Sequence, residues 1–238
     1  MNRILVVSLV AFTLTATAAT YTEAQTPAMQ RGISVQLVAT QNAMPESAAD
    51  DQDAWIVTVA ADGSLYFGID PVTPESLMEE MKSHPRNRGA QLYIKADARA
   101  PFASVENVLE AARVDLFPGA VLLTSQPGQS EPGTRVPPQG LDVLVGPQIP
   151  AGTVATVVEL LDSRQQPPML RINGGQIPWS ALQNALMQRF QKGDEKVILL
   201  KADGHLGFAD VVHVIDICRS AGARVILPQS GSEIRGSL

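Results

Sequence analysis

The chain repeats itself at a spacing of about 105 residues. Lys95-Ala96-Asp97 returns as Lys201-Ala202-Asp203, and Phe102-Ala103 returns as Phe208-Ala209 in the same order. Matching positions keep this spacing on either side: Val72 and Ile177, Leu77 and Leu182, Val105 and Val211, Val108 and Val214, Leu109 and Ile215, and residues 32–35 and 140–143. A tandem duplication therefore constrains the chain to two copies of one small fold.

The first copy combines strand signals with two helical segments. Residues 55–59 and 64–67 are β-prone and flank Asp62-Gly63, a pair typical of a tight hairpin because glycine accepts positive φ. Thr73-Pro74-Glu75 is a typical helix start. Apolar residues at i, i+3, i+4 and i+7 from Val105 predict a second helix. Short strands are expected at residues 91–94 and 120–123.

The second copy predicts the same order of elements. Its helices are expected at residues 179–190 and 211–219, and its strands at residues 197–200 and 224–227. Residues 170–174 take the place of the segment from Leu65 to Ile69 in the first copy. The β-branched residues of 154–161 favour a strand, although a short helix fits nearly as well. The predicted fold class is α+β: two tandem small two-layer domains, each with two helices on one face of a mixed β-sheet.

A stretch rich in proline and glycine separates the two copies. These two residue types fill six of the fourteen positions from 126 to 139, which is the composition of a linker. The predicted domains are residues 31–126 and 140–230, with a linker at residues 127–139.

The N-terminus has the pattern of a secretory signal. Arg3 precedes a charge-free run of apolar and small residues from Ile4 to Ala19, and residues suited to cleavage follow. Residues 1–24 are therefore predicted to be a cleaved signal peptide that sends the protein to the periplasm. The alternative is an uncleaved inner-membrane anchor, although the run is shorter than the roughly twenty residues that cross a bilayer.

Charge and side-chain chemistry argue against several classes of function. The formal net charge is −6, which excludes the basic face expected of a nucleic-acid-binding protein. The three histidines, His84, His205 and His213, lack metal-binding spacing, and no nucleophile elbow or phosphate loop is present. Cys218 takes the place of Ala112 on an apolar stripe and is expected to be a buried hydrophobe. We therefore predict no catalytic residue, no metal and no cofactor.

The order of these motifs resembles the periplasmic domain of ExbD/TolR proteins. The residues that carry the resemblance are Asp62-Gly63, Leu77, Ile94-Lys95-Ala96-Asp97, Phe102, Val105, Val108-Leu109 and Gly119-Ala120-Val121, with Leu182, Leu200-Lys201-Ala202-Asp203, Phe208, Val211, Val214-Ile215 and Gly222-Ala223-Arg224-Val225 in the second copy. It covers nearly all of residues 32–126 and, more weakly, 140–228. The resemblance implies a periplasmic domain that dimerises and contacts partner proteins. In the family this domain belongs to a proton-driven inner-membrane motor working with TonB- or TolA-like proteins, and some members touch peptidoglycan.

The sequence departs from that family in two respects. The family has one periplasmic domain behind a transmembrane helix with a proton-accepting aspartate, whereas this chain doubles the domain. Residues 4–19 contain no acidic side chain, and a helix without an ionisable group cannot relay a proton. An accessory role is therefore expected rather than that of the motor subunit itself.

The repeated Lys95, Asp97, Lys201 and Asp203 are the candidate partner-binding residues. A lysine and an aspartate two apart on a strand point to the same side and could form an ion pair or a binding edge. The alternative, which we favour, is a strand-end pair and loop cap.

Three functions remain open from the sequence. The first is a non-catalytic periplasmic adaptor for a TonB/Tol-type biopolymer transport machine, which binds envelope proteins and forms a possible homodimer. The alternative is a peptidoglycan-binding envelope module, and an enzyme is the least favoured.

Overall fold

The structure is a computed structural model that describes residues 32–51, 53–83, 91–114, 117–125, 138–145, 155–164, 166–191 and 196–228. The predicted signal peptide and residues 127–137 of the predicted linker lie outside these residues. The domain boundaries therefore stay predictions.

Within the described residues, each half contains six strands and two α-helices. The first half contains β1 (Met44–Pro45), β2 (Trp55–Val59), β3 (Leu65–Phe67), β4 (Asp70–Val72), α1 (Pro74–Ser83), β5 (Leu92–Ala96), α2 (Phe102–Val114) and β6 (Gly119–Thr124). The second half contains β7 (Gln139–Val145), β8 (Thr156–Leu161), β9 (Met169–Ile172), β10 (Gly175–Ile177), α3 (Leu182–Phe190), β11 (Val197–Ala202), α4 (Phe208–Ser220) and β12 (Arg224–Leu227). Short 3₁₀ turns lie at Ser47–Asp50 and Trp179–Ala181.

Local sequence signals explain several of these elements. The Asp62-Gly63 hairpin is confirmed: β2 pairs antiparallel with β3, and Gly63 has φ +85°. The side chain of Thr73 accepts a hydrogen bond from the backbone N–H of Ser76 and caps the start of α1. The ambiguous segment at residues 154–161 forms strand β8.

The twelve strands of the described part of the chain all belong to one mixed sheet. Its order is β10-β9-β8-β11-β12-β7-β6-β5-β2-β3-β4, and β1 pairs with the start of β7. The halves join where β6 and β7 pair antiparallel, from Gly119 opposite Leu144 to Thr124 opposite Gln139. The predicted α+β class with a mixed sheet is confirmed, and the two halves share the sheet.

The two halves are nearly symmetric about this joint, with one exception. The order β4-β3-β2-β5-β6 in the first half corresponds to β10-β9-β8-β11-β12 in the second. Strand β7 stands between β12 and β6, pairing parallel with the first and antiparallel with the second. Its counterpart in the first half is the segment at residues 32–40, where only Ala39 forms a bridge, to Ser125.

The helices of both halves pack on the same face of the sheet. One core cluster contains Leu77, Phe102, Leu182 and Phe208, all at most 3 % exposed, from the four helices. Alternate residues of β5 face this cluster, whereas Tyr93 of that strand packs with Ala49, Val121 and Leu123 in a separate cluster. Because successive side chains of a strand point to opposite faces, the second cluster lies on the opposite face, which carries no α-helix of the described residues and is called the helix-free face below.

The starts of α2 and α4 meet across the joint between the halves. The backbone N–H of Phe102 donates to the carbonyl of Leu206 at 2.8 Å, and the N–H of Phe208 donates to the carbonyl of Ala100 at 2.8 Å. Each exchange satisfies an N–H group that a helix start leaves without an intrahelical partner. The two halves therefore cap each other's helices reciprocally.

Candidate functional site

The front segment, defined as residues 32–51, runs along both halves of the molecule. Gln36 is held at the loop after β5, Ala39 pairs beside Ser125, and Asn42 contacts Asp216 on α4. The segment then forms β1 beside β7, and its 3₁₀ turn places Ala49 on the helix-free face. It therefore behaves as a peptide docked onto the rest of the fold.

Lys95 and Asp97 hold the beginning of the front segment. The Nζ of Lys95 donates to the carbonyl of Ile33 at 2.8 Å. Oδ2 of Asp97 accepts the backbone N–H of Gln36 at 2.9 Å, and the carbonyl of Gln36 accepts the N–H of Ala98 at 2.8 Å. These three contacts use backbone groups of the segment, so they require an extended chain more than particular side chains.

Asp97 also organises its own loop. It is 3 % exposed, and Oδ1 accepts the backbone N–H of Arg99 at 3.0 Å. The Arg99 guanidinium reaches both carboxylate oxygens, with Nε 2.9 Å from Oδ1 and Nη2 3.1 Å from Oδ2. Asp97 is thus a loop cap. No ion pair joins it to Lys95 in the described part of the chain.

The environment of this pair changes the pKa of both groups. Hydrogen bonds from Arg99 and from backbone N–H groups hold the pKa of the Asp97 carboxyl well below its usual value of 3.8, against the opposing effect of burial. Burial lowers the pKa of Lys95. The aspartate is therefore held as a carboxylate in the folded protein.

The second Lys-Ala-Asp loop makes the same backbone hydrogen bonds as the first, but no described segment is docked on its lysine and aspartate. The N–H of Asp203 donates to the carbonyl of Leu160 at 3.0 Å, just as the N–H of Asp97 donates to the carbonyl of Val59 at 2.9 Å. Oδ1 of Asp203 accepts the N–H of His205 at 3.0 Å. Among the described residues, no segment contacts Lys201 and Asp203 in the way that the front segment contacts Lys95 and Asp97.

Sequence reasoning did not find the contact between Asn42 and Asp216. Oδ1 of Asp216 accepts the backbone N–H of Asn42 at 2.9 Å, and Oδ2 accepts the backbone N–H of Gln41 at 3.0 Å. Asp216 matches Glu110 of the first copy, but Glu110 pairs with Arg113 on its own helix. The repeat alone gave no signal for this role.

The two ends of the sheet differ in chemistry. Strand β4 ends the sheet on one side and carries Asp70 and Pro71. Strand β10 ends it on the other and contains Gly175, Gln176 and Ile177, without charge or proline. Charged residues and proline protect an edge strand from further pairing. The edge at β10 is therefore the more open one.

The cysteine and the histidines singled out in the sequence do not form a reactive cluster in the described part of the chain. Burial raises the pKa of Cys218 to about 12, and the thiol is fully buried. His205 and His213 are exposed, while His84 lies outside the described residues. No group of three potential metal ligands occurs within the described ranges.

A comparison with protein families matches the family described as biopolymer transport protein ExbD/TolR, over residues 3–126 and again over residues 119–229. The chain therefore belongs to the ExbD/TolR family. Proteins of this family are non-catalytic, envelope-associated accessories of biopolymer transport that work with TonB/Tol-type systems. Comparisons with curated proteins and with solved structures find no match. No helix in the described part of the chain is long and apolar enough to span a membrane.

Proposed function

We propose that this protein is a non-catalytic periplasmic adaptor of a TonB/Tol-type biopolymer transport machine, which holds an extended segment of an envelope protein. Family membership supports the transport role. The observation that carries the binding role is the open sheet edge at β10.

Strand addition suits this edge for a physical reason. A terminal strand presents unpaired backbone N–H and C=O groups, and an extended peptide can satisfy them without special side chains. Gly175 and Gln176 are exposed, and Ile177 is half-buried. The neighbouring Asn173-Gly174 turn has φ values of +48° and +80°, which fixes the hairpin that presents β10. This mode of binding agrees with a site that needs no catalytic motif.

The cellular location is part of the proposal. Cleavage after the predicted signal would release the adaptor into the periplasm, and retention of residues 1–24 would tether it to the inner membrane. Mass spectrometry of the N-terminus from envelope fractions distinguishes a start near residue 25 from an intact Met1.

The test is in-cell photo-crosslinking from the sheet edge. A photo-crosslinking amino acid replaces Gln176 on β10, and a matched variant carries it in place of Asp70 on β4. We expect TonB- or TolA-like proteins, identified by mass spectrometry, to be attached through position 176 and not through position 70.

The other outcomes discriminate between alternatives. Attachment of wall fragments alone would favour a peptidoglycan-binding module. A crosslink between two copies would identify β10 as a homodimer edge. Equal attachment at positions 176 and 70 would contradict a specific role for β10.

A further inference from the structure

The second Lys-Ala-Asp loop has the same hydrogen-bonding groups with which the first loop binds the front segment, but these groups are not used there. In the first half, Lys95 Nζ, Asp97 Oδ2 and the Ala98 N–H bind the front segment. Their counterparts are Lys201 Nζ, Asp203 Oδ2 and the Gly204 N–H. No described residue forms a hydrogen bond with these three groups, although Glu159 of β8 lies beside Lys201 in the sheet and all three residues are only partly exposed.

The two loops share the geometry that matters for docking. The backbone N–H groups of Asp97 and Asp203 each donate to a carbonyl of the adjacent parallel strand, Val59 on β2 and Leu160 on β8. Both turns then close with the same hydrogen bond, from the N–H of Ala100 to the Asp97 carbonyl and from the N–H of Leu206 to the Asp203 carbonyl. Lys95 and Lys201 occupy equivalent positions on β5 and β11, so both point to the helix-free face. His205 replaces Arg99, so the guanidinium that occupies both oxygens of Asp97 has no counterpart at Asp203.

We propose that Lys201, Asp203 and Gly204 form a docking site for an extended segment of a partner protein. The segment offers a backbone carbonyl to Lys201 and, three residues later, a backbone N–H to Asp203 and a carbonyl to Gly204. This inference rests on the proposed partner-binding function and adds a second, distinct place where a partner is held.

We take the occupant to be a segment of another protein, because within the described residues both front segments are already held elsewhere. Strand β7, the front of the second copy, is fixed in the sheet between β12 and β6. The front segment of the first copy is held by Lys95 and Asp97. The burial pattern of the front segment indicates what kind of segment such a loop holds. Ile33, Val35 and Leu37 are half-buried, while Ser34 and Gln36 are exposed. An unstructured chain with alternating apolar and polar residues fits this site.

The test uses a synthetic peptide with the sequence of residues 32–41, of which Ile33 and Gln36 are bound by the first loop in cis. Isotope-labelled protein is titrated with this peptide, and the amide resonance of Gly204 is followed by NMR. We expect a saturable shift at Gly204. The variant with Lys201→Ala and Asp203→Asn should bind about tenfold more weakly or worse, because it loses charge-assisted hydrogen bonds.

Matched controls separate docking from a loss of folding. Lys196→Ala removes an exposed lysine beside the start of the same strand and should leave the affinity unchanged. Lys201→Ala alone, at a partly exposed side chain, should weaken binding in the same direction while the remaining spectrum stays dispersed.

Three results would overturn the inference. In the peptide titration, these are an unchanged Gly204 resonance and shifts confined to the Asp97 loop. The third is a Gly204 resonance that moves when residues 229–238 are deleted, which would mean that the chain's own tail fills the site. Failure here with crosslinking through position 176 intact would leave the adaptor function standing. Peptide binding at Gly204 without any crosslink at β10 would place the partner at this loop alone.

Discussion

Asn42 and Asp216 are joined by hydrogen bonds across 174 residues of sequence. The backbone N–H and the side-chain Nδ2 of Asn42 donate to Oδ1 of Asp216 at 2.9 and 3.1 Å, and Nδ2 also reaches the Asp216 carbonyl at 3.2 Å. The front segment of the first half is therefore fastened to a helix of the second.

Asp216→Ala should lower the free energy of unfolding by about 1–3 kcal/mol, because it leaves N–H groups of Gln41 and Asn42 without their acceptor. Chemical denaturation followed by circular dichroism measures this change. His213→Ala, at an exposed position of the same helix, should leave the midpoint unchanged. Equal midpoints for wild type and Asp216→Ala would show that the contact adds no stability.

Stability should depend on pH through Asp97. Because its pKa is lowered on folding, the carboxylate stabilises the fold above the unfolded value of 3.8 and loses that contribution as the pH falls through the native pKa. Asp97→Asn should cost about 1–3 kcal/mol near neutral pH. The difference in the free energy of unfolding between wild type and Asp97→Asn, measured by urea unfolding, should become smaller in acid below the unfolded pKa.

Asp203→Asn is the matched control for this experiment. Its carboxylate accepts only the N–H of His205 among the described contacts, so the substitution should cost less than Asp97→Asn. If Asp97→Asn lowers the free energy of unfolding by the same amount at neutral and at acidic pH, the stabilising role proposed for the Asp97 carboxylate charge is contradicted.

Gly140→Ala should destabilise the joint between the halves. A Cβ at Gly140 would overlap Cγ1 of Val121 on β6 and lie 2.8 Å from Cγ of Glu46. Overpacking of this kind costs roughly 1–3 kcal/mol. Gly175→Ala on the edge strand, where the nearest atom is the Ile172 carbonyl oxygen at 3.4 Å, should be nearly neutral. Thermal unfolding compares the two, and equal melting temperatures would argue against a tight joint.

The Cys218 thiol should be unreactive in the folded protein. Its burial and its pKa of about 12 leave almost no thiolate near neutral pH. A thiol reagent should modify it only after denaturant unfolds the chain. Rapid modification of the native protein would show that the helix layer opens over α4.

The sequence was sufficient for the local elements and insufficient for their long-range arrangement. Hairpins, helix starts and apolar stripes are written in neighbouring residues, so Gly63, Thr73 and Cys218 behave as predicted. The insertion of β7 between β12 and β6 depends on pairing between distant segments. Residues 32–35 and 140–143 match in sequence, yet only the second becomes a strand.

The contacts of the candidate residues could not be read from the sequence for the same reason. The repeated lysines and aspartates identified both loops, but nothing local distinguished the loop that binds the front segment from the loop that does not. Gln36 contributes only backbone groups to Asp97 and Ala98. A backbone contact leaves no residue-type signature, so it could be seen only in three dimensions.

The central position of β7 has a consequence for the growing polypeptide. Thr124 at the end of β6 precedes Gln139 at the start of β7 along the chain, so β6 always emerges before this neighbour does. During that interval the long buried strand β6 lacks its neighbour, and its backbone edge is open to any other unfinished chain. Biosynthesis should therefore depend on protection of β6 until residues 139–145 emerge, and a truncation before Gln139 should aggregate where the complete chain does not.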